Sequence, residues 1–423
     1  MRIAAPLTLQ VRTRIDQSLL LFIYVSMCVL IFPMIAGDDL SSLYFAARFI
    51  AFGEVQHVFS YDPVQFTEVA SSRWEQEAAA TGFTGYMHPY VQAPLWATMV
   101  SPLAARVSFP TFNLIFFVIH TASVVGAVVL VARVWAPYLL RTSYLGLTLV
   151  CLCSTRPLWD ALYNNQTQLL VILLVLLAVE RQRAGAFTTA GLALAIATLI
   201  KVTPVALAVY WLATGRRKEV AIWAGAMLVL GLASLLLVDP ELSRAFVTRL
   251  RDLSTVLVMG NNNQSFPVVA YHLSTATPLR WQVVTMPGAL SIATTAIHIG
   301  TVLALIWKFK GWPDKERDAV AIPIVLVTTM ILAPIAWTHY FITVILFTLC
   351  LPAFFGHTRS SRIAMVTIVL VLATGFFTAT SGGAETWTPF LAALLLLAAL
   401  YLAPHPSKLP EAARHASVAP VGA

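Results

Sequence analysis

Charge is scarce in this chain. Asp, Glu, Lys and Arg make up 11% of its 423 residues, where a soluble domain carries about 25%. The deficit runs along the whole length, hydrophobic residues reach 59%, and the mean hydropathy is +0.80. That excludes a soluble enzyme held by a single anchor and leaves an all-α polytopic membrane protein. Cysteine is scarce too. Cys28, Cys151, Cys153 and Cys350 all lie in apolar runs, which excludes a disulfide framework. There is no Gly-rich phosphate loop, no soluble domain and no internal repeat. The histidines, including His57, His88, His120, His272 and His298, show none of the paired spacing that metal ligands need. No cofactor is expected and a divalent metal is not; a cation on Asp38 or Asp39 is the one alternative to that reading.

The charge that is present is unevenly placed. Arg181 and Arg183, then Arg216, Arg217 and Lys218, then Lys308, Lys310, Lys315 and Arg317, then Arg359 and Arg362 sit in short connections between apolar runs. This is the positive-inside pattern and puts those connections in the cytoplasm. The net charge of +8 therefore speaks for membrane topology and against nucleic acid as a partner. The segment 37–90 is the reverse, with seven acids and two cations, and is expected on the far side of a cell (inner) membrane.

Apolar runs suggest about 10–13 transmembrane helices in one domain over 1–403, with a large first non-cytoplasmic loop at 37–90 and a second at 239–282. Residues 404–423 are small and polar and read as a disordered tail. Arg2, Arg12 and Arg14 precede the first run, which is expected to stay as an uncleaved helix. The run 187–213 lies between two basic clusters. Either it forms two short helices broken near Lys201 and Pro204, or it is one long span with a basic cluster outside. In the first loop, 40–52 reads as an amphipathic helix lying in the interface, with Asp39 capping its start, and Gly53 and Tyr61-Asp62-Pro63 as a stop and a turn.

Few polar residues are placed to do chemistry. Asp38 and Asp39 emerge where the first apolar run meets water. Acidic groups cost roughly 2.5–3.5 kcal/mol at the centre of the membrane but little at its edge, so a carboxylate here can act as a base on a substrate whose tail stays in lipid. It can equally be a helix cap with a solvated neighbour. Lys201 lies deep in an apolar run, where it either meets an anion in a cavity or sits in water at a hairpin turn. His339, in Trp337-Thr338-His339-Tyr340, either serves a phosphate or acceptor near neutral pH or belongs to an aromatic belt. The amides of Asn165-Gln166 and Asn263-Gln264-Ser265 suit sugar hydroxyls, because each both donates and accepts; the alternative is ordinary loop polarity.

In order, these pieces resemble glycosyltransferase family 87 of the GT-C class: the acidic start Asp39-Leu40-Ser41-Ser42-Leu43-Tyr44, the Lys201-Val202-Thr203-Pro204 element with Gly215-Arg216-Arg217 behind it, Asn263-Gln264-Ser265, and Trp337-Thr338-His339-Tyr340. The chain departs from the family at Asn165-Gln166, where Gly-Gln is usual, and at Gln92-Ala93-Pro94, where Tyr-Pro-Pro is usual. The resemblance implies a GT-C-like fold with Asp39 as catalytic base, His339 near the donor phosphate or acceptor, and Asp38, Lys201, Asn263, Gln264, Gln166 and Tyr340 as substrate-binding residues. It implies a polyprenyl-phosphate sugar as co-substrate, mannose first and arabinofuranose second, and a glycolipid or glycan acceptor. The expected reaction is inverting transfer, with the leaving phosphate held by Lys201 or His339 and helped by Arg48 or Arg280. The rival class is a membrane transporter or lipid flippase, which predicts inverted repeats with matching broken helices; only one Lys-x-x-Pro break is present.

Overall fold

A computed structural model describes residues 22–61, 69, 71–140, 148–149, 151–260, 262–277, 281–355, 358–380 and 387–403. The basic N-terminal stretch, Asp62, Pro63, Arg280 and the tail from Pro404 lie outside the described residues. The chain is helical, and an apolar helix bundle carries a folded polar layer at one end.

Helix α1 (Phe22–Met34) meets α2 (Asp38–Ala51) at a 70° bend. The bend sits at Gly37, whose φ of +68° is open to glycine at little cost. A Cβ there would also lie 2.5 Å from Asn113 Oδ1. Gly37, not Asp39, occupies the N-cap, so Asp38 and Asp39 form the first helical turn, where the amide dipoles favour negative charge. The expectation of an interfacial helix with one wet face is corrected as well. Leu40, Ser41, Leu43, Tyr44, Phe45, Ala46, Ala47 and Phe49 are all buried, which takes in every side of α2. It is covered by α3 (Ser72–Thr81), α4 (Pro94–Ala104) and the start of α5 (Phe109–Val134). Phe45 meets Trp74 edge-on at 5.5 Å and Phe83 meets Phe109 at 4.8 Å. Such pairs add about 0.5–1.5 kcal/mol each beyond burial. The described residues of 37–90 thus form a packed layer with its own core.

After α5 come α6 (Arg156–Tyr163) and α7 (Gln168–Arg183), which meet at a 115° bend. Then follow α8 (Phe187–Ile200), α9 (Val205–Ala213) and α10 (Arg217–Leu237). Two contacts decide how 187–213 runs. Lys218 lies over the Phe187 ring at 5.4 Å, and Gly191 packs against Ile222 and the Trp223 backbone. Helices α8 and α10 are therefore parallel, so α9 must return the chain, and both basic clusters lie at one end of the bundle. The chain breaks at Lys201, which is extended, and resumes at Pro204. At the basic end, Asp318 is 2% exposed and is held by Arg216 at 2.8 Å, Arg317 at 3.3 Å and the Tyr210 hydroxyl at 2.7 Å.

At the opposite end, α11 (Pro240–Ser254), β1 (Val256–Met259), α12 (Phe266–Thr275) and β2 (Gln282–Thr285) form the second outer segment, with β1 and β2 antiparallel and Met259 opposite Gln282. Then α13 (Gly288–Lys308), α14 (Asp314–Leu332), α15 (Thr338–Phe355), α16 (Arg359–Thr380) and α17 (Thr388–Tyr401) complete the bundle. Among the described residues, α5, α10, α13 and α15 are long and apolar enough to cross a membrane, and six spans result if each bent pair counts as one. The protein leaves α10 and α13 almost uncovered. Predominantly apolar, they suit contact with acyl chains.

Candidate functional site

Asp38 and Asp39 open into a cavity of about 510 Å³ between the polar layer and the bundle. Its wall includes His88 from the segment before α4, Asp160 and Tyr163 of α6, Asn262 and Trp281 of the second outer segment, and Trp337, Thr338 and His339 at the head of α15. Five distant parts of the sequence converge here.

Backbone bonds fix the acidic turn. Gly37 N donates to Tyr163 O at 3.0 Å and Leu40 N donates to Asn164 O at 3.3 Å. Asp39 is thus bolted to the α6–α7 bend. Behind the bend, Asn165 adopts a left-handed φ of +49°, uncommon for a side-chain-bearing residue. Its amide is fully engaged, donating to Asn113 Oδ1 at 2.7 Å and facing His120 Nδ1 at 2.7 Å. The next residue, Gln166, donates its side-chain amide to Asp39 Oδ2. His88 Nε2 lies 3.7 Å from Asp39 Oδ1. Asp38 accepts from Tyr86 N at 3.1 Å.

Desolvation raises the Asp39 carboxyl above its ordinary value, and the charges of His88 and Lys201 pull it part of the way back. Asp38 is also raised by desolvation, against the bond from Tyr86 and the His88 charge. A carboxylate 24% exposed, amide-oriented and raised in pKa has the attributes of a general base.

Lys201 emerges at the α8–α9 break. Its ammonium donates to the Tyr340 hydroxyl at 3.0 Å and lies 4.2 Å above that ring, and its charge faces both Asp39 and His339. His339 is 4% exposed, and its Nε2 has no hydrogen-bond partner among the described residues. Beyond Tyr340 a narrow apolar recess continues between α7, α14 and α15, walled by Val171, Ile172, Leu326, Met330 and Phe347. Asp39 lines the cavity, Tyr340 lines the recess, and Lys201 bonds to Tyr340 while its charge acts on Asp39.

Of the residues expected from sequence, Asp38, Asp39 and His339 line the cavity, and Lys201, Gln166 and Tyr340 support it. Asn263 and Gln264 do not line it. Asn263 is fully buried: its amide donates to Val258 O and Pro334 O and accepts from Ser265 N and Ala336 N. All its hydrogen-bonding capacity is spent fastening the outer segment to the loop before α15. Gln264 is 2% exposed within the same fastening, its backbone N donating to Ala336 O. Gln166 donates its amide to the Asp39 carboxylate. Arg48 points elsewhere, paired with Glu77 at 2.5 Å. Sequence reasoning missed His88, Trp281, Asn262 and the Arg156–Asp160 pair. The one signal for the last was an oppositely charged i,i+4 pair beside an apolar run. Among the described residues, no group of three or more His, Cys, Asp or Glu is placed to hold a metal.

No curated protein matches this chain. Residues 90–334, more than half of it, match the sequence profile of glycosyltransferase family 87. The matched range includes Arg156, Asp160, Gln166, Lys201, Asn262 and Trp281, and leaves Asp39, His88 and His339 outside.

Proposed function

The chain belongs to glycosyltransferase family 87, and from that premise we propose that it is an inverting transferase. It moves a sugar, mannose before arabinofuranose, from a polyprenyl-phosphate donor to a lipid-linked or polysaccharide acceptor at the non-cytoplasmic face of the cell membrane. Family membership sets aside the transporter alternative. The observation that carries the reading is a polar cavity lined by Asp39 and His339 beside an apolar recess between membrane helices lined by Tyr340, with Lys201 bonded to Tyr340 and its charge acting on Asp39. A donor with a charged head and a greasy tail matches this pairing of a polar cavity and an apolar recess. The basic clusters lie at the opposite end of the bundle, which supports an outward-facing site.

The step balances with one carboxylate. An acceptor hydroxyl loses its proton to Asp39 as its oxygen bonds to the anomeric carbon. The bond from that carbon to the lipid phosphate breaks on the opposite face, and the phosphate leaves with the electron pair beside the Lys201 ammonium. Fixed charge aimed at a developing anion is worth about 2.7–4 kcal/mol per donor in an enclosed site. Direct displacement needs a base but no enzyme nucleophile. The test is reconstitution of the full chain in liposomes with radiolabelled polyprenyl-phosphate mannose or polyprenyl-phosphate arabinofuranose. Label should pass to an acceptor from the mannosyl donor. Label transferred from neither, or only from a sugar nucleotide, contradicts the reading.

A further inference from the structure

Above Asp39, the cavity wall has two features that the transfer step does not use. The first is aromatic. Trp281 immediately precedes β2 and lines the cavity, and 51% of its surface is uncovered. One side of the indole is packed against Gly260, where a Cβ would come within 3.3 Å of the ring. The ring also meets Trp337 at 5.6 Å with a 43° tilt. Both tryptophans are rigidly mounted, Trp281 beside the β1–β2 pairing and Trp337 through its bridge to Asn263. An indole set at the start of the β1–β2 pairing and lining a polar cavity offers a π-face to a flat ligand ring.

The second feature is polar. Arg156 Nε donates to Asp160 Oδ2 at 3.2 Å, and Arg156 Nη2 donates to Asn262 Oδ1 at 2.5 Å. One guanidinium therefore fixes a carboxylate and an amide together. No described group pairs with Asp160 Oδ1 or Asn262 Nδ2, and both residues line the cavity. That leaves one acceptor and one donor presented side by side, the pattern that vicinal hydroxyls satisfy.

We propose that Trp281 with Trp337, and Asp160 with Asn262 on Arg156, form the acceptor subsite, and that its ligand is a pyranose ring stacked on Trp281 with neighbouring hydroxyls on Asp160 and Asn262. The inference rests on the transfer reading above and deepens it. The acceptor presents a sugar to Asp39, not a plain aliphatic alcohol or a polypeptide hydroxyl. C–H faces of a pyranose suit an indole, and its hydroxyls satisfy polar groups that a simple alcohol would leave unpaired, the kind of mismatch by which sites discriminate strongly.

Two measurements test this on the full chain in lipid nanodiscs. In the first, transfer from polyprenyl-phosphate mannose is followed with octyl mannopyranoside or 1-octanol as acceptor. The glycoside should be used at least tenfold more efficiently. Trp281→Ala should raise its KM about tenfold, in line with a lost aromatic contact, with donor KM changed less than twofold; Trp281→Phe should restore most of the loss. Equal use of the two acceptors, or a Trp281→Ala variant with unchanged acceptor KM, overturns the proposal. In the second, saturation-transfer NMR with methyl mannopyranoside and no donor reads the subsite without the reaction. Ring protons should receive saturation from the wild type and Trp281→Phe but not from Trp281→Ala; the same signal from all three overturns it. If the wild type transfers nothing, the transferase reading fails, and this second measurement alone decides the subsite.

Discussion

Gln166 donates its side-chain amide to Asp39 Oδ2, which joins the bend between α6 and α7 to the first turn of α2 across 127 residues of sequence. The bond leaves Asp39 Oδ1 turned toward His88. It fixes the carboxylate, and orientation of a base within hydrogen-bond reach matters as much as its pKa. Gln166→Leu should therefore lower kcat by roughly tenfold to a hundredfold with donor KM little changed. Gln166→Glu should be worse at neutral pH, because a second carboxylate beside Asp39 raises its pKa further. Steady-state kinetics of both variants check this; a Gln166→Leu enzyme with wild-type kcat contradicts it.

The pH profile follows from the direction of the Asp39 shift. The base works only as the carboxylate. Desolvation raises its pKa above the ordinary value of about 3.9. Activity should thus be full at higher pH and fall as pH drops through a value above the usual carboxylate range. Measuring kcat against pH with saturating donor locates that limb, and a limb at or below pH 4 counts against Asp39 as the base.

Lys201 is expected to act on the leaving phosphate. Lys201→Met should cost about 10²–10³-fold in kcat. A donor whose leaving group is a weaker base needs less help, so the defect should shrink with such a donor. An equal defect with both donors points to a structural role at the α8–α9 break instead.

Asp160 carries an electrostatic cost. Burial pushes its carboxyl up to about 6, with Arg156 opposing. The folded protein binds more protons at this group than the unfolded chain between about pH 4 and pH 6, so its contribution to stability declines as pH rises through that window. Asp160→Asn should raise the midpoint of thermal unfolding at pH 7.5 by roughly 2 °C, and the gain should fade by pH 4.5. A gain independent of pH contradicts the shift. A residue kept at a cost to stability is what a binding role predicts.

The sequence made the helical membrane character legible because hydropathy and charge placement are local properties. Asp39 and His339 were legible for a related reason: polar groups at the edges of apolar runs are few. The reach of α2 was not, because Gly37 takes the cap and the aromatic core around Phe45 and Trp74 closes over a face that periodicity alone leaves wet. Nor was the path of 187–213, which is decided by Phe187 meeting Lys218 across the α8–α10 interface. The fastening role of Asn263 was not legible either, because an amide spent on four backbone groups looks, in sequence, like one free for sugar. His88, Trp281 and the Arg156–Asp160 pair reach the cavity only through long-range packing.

The central claim is that the Asp39 carboxylate removes the acceptor proton. Asp39→Asn keeps the shape and the bond from Gln166 with its amide oxygen but cannot take a proton. Turnover of the lipid-linked donor by this variant, reconstituted and shown to be folded by its unfolding transition, is the direct measurement. A loss of about 10²–10⁴-fold or more, with Asp38→Asn far less affected, is predicted. Wild-type-like turnover by Asp39→Asn would contradict it.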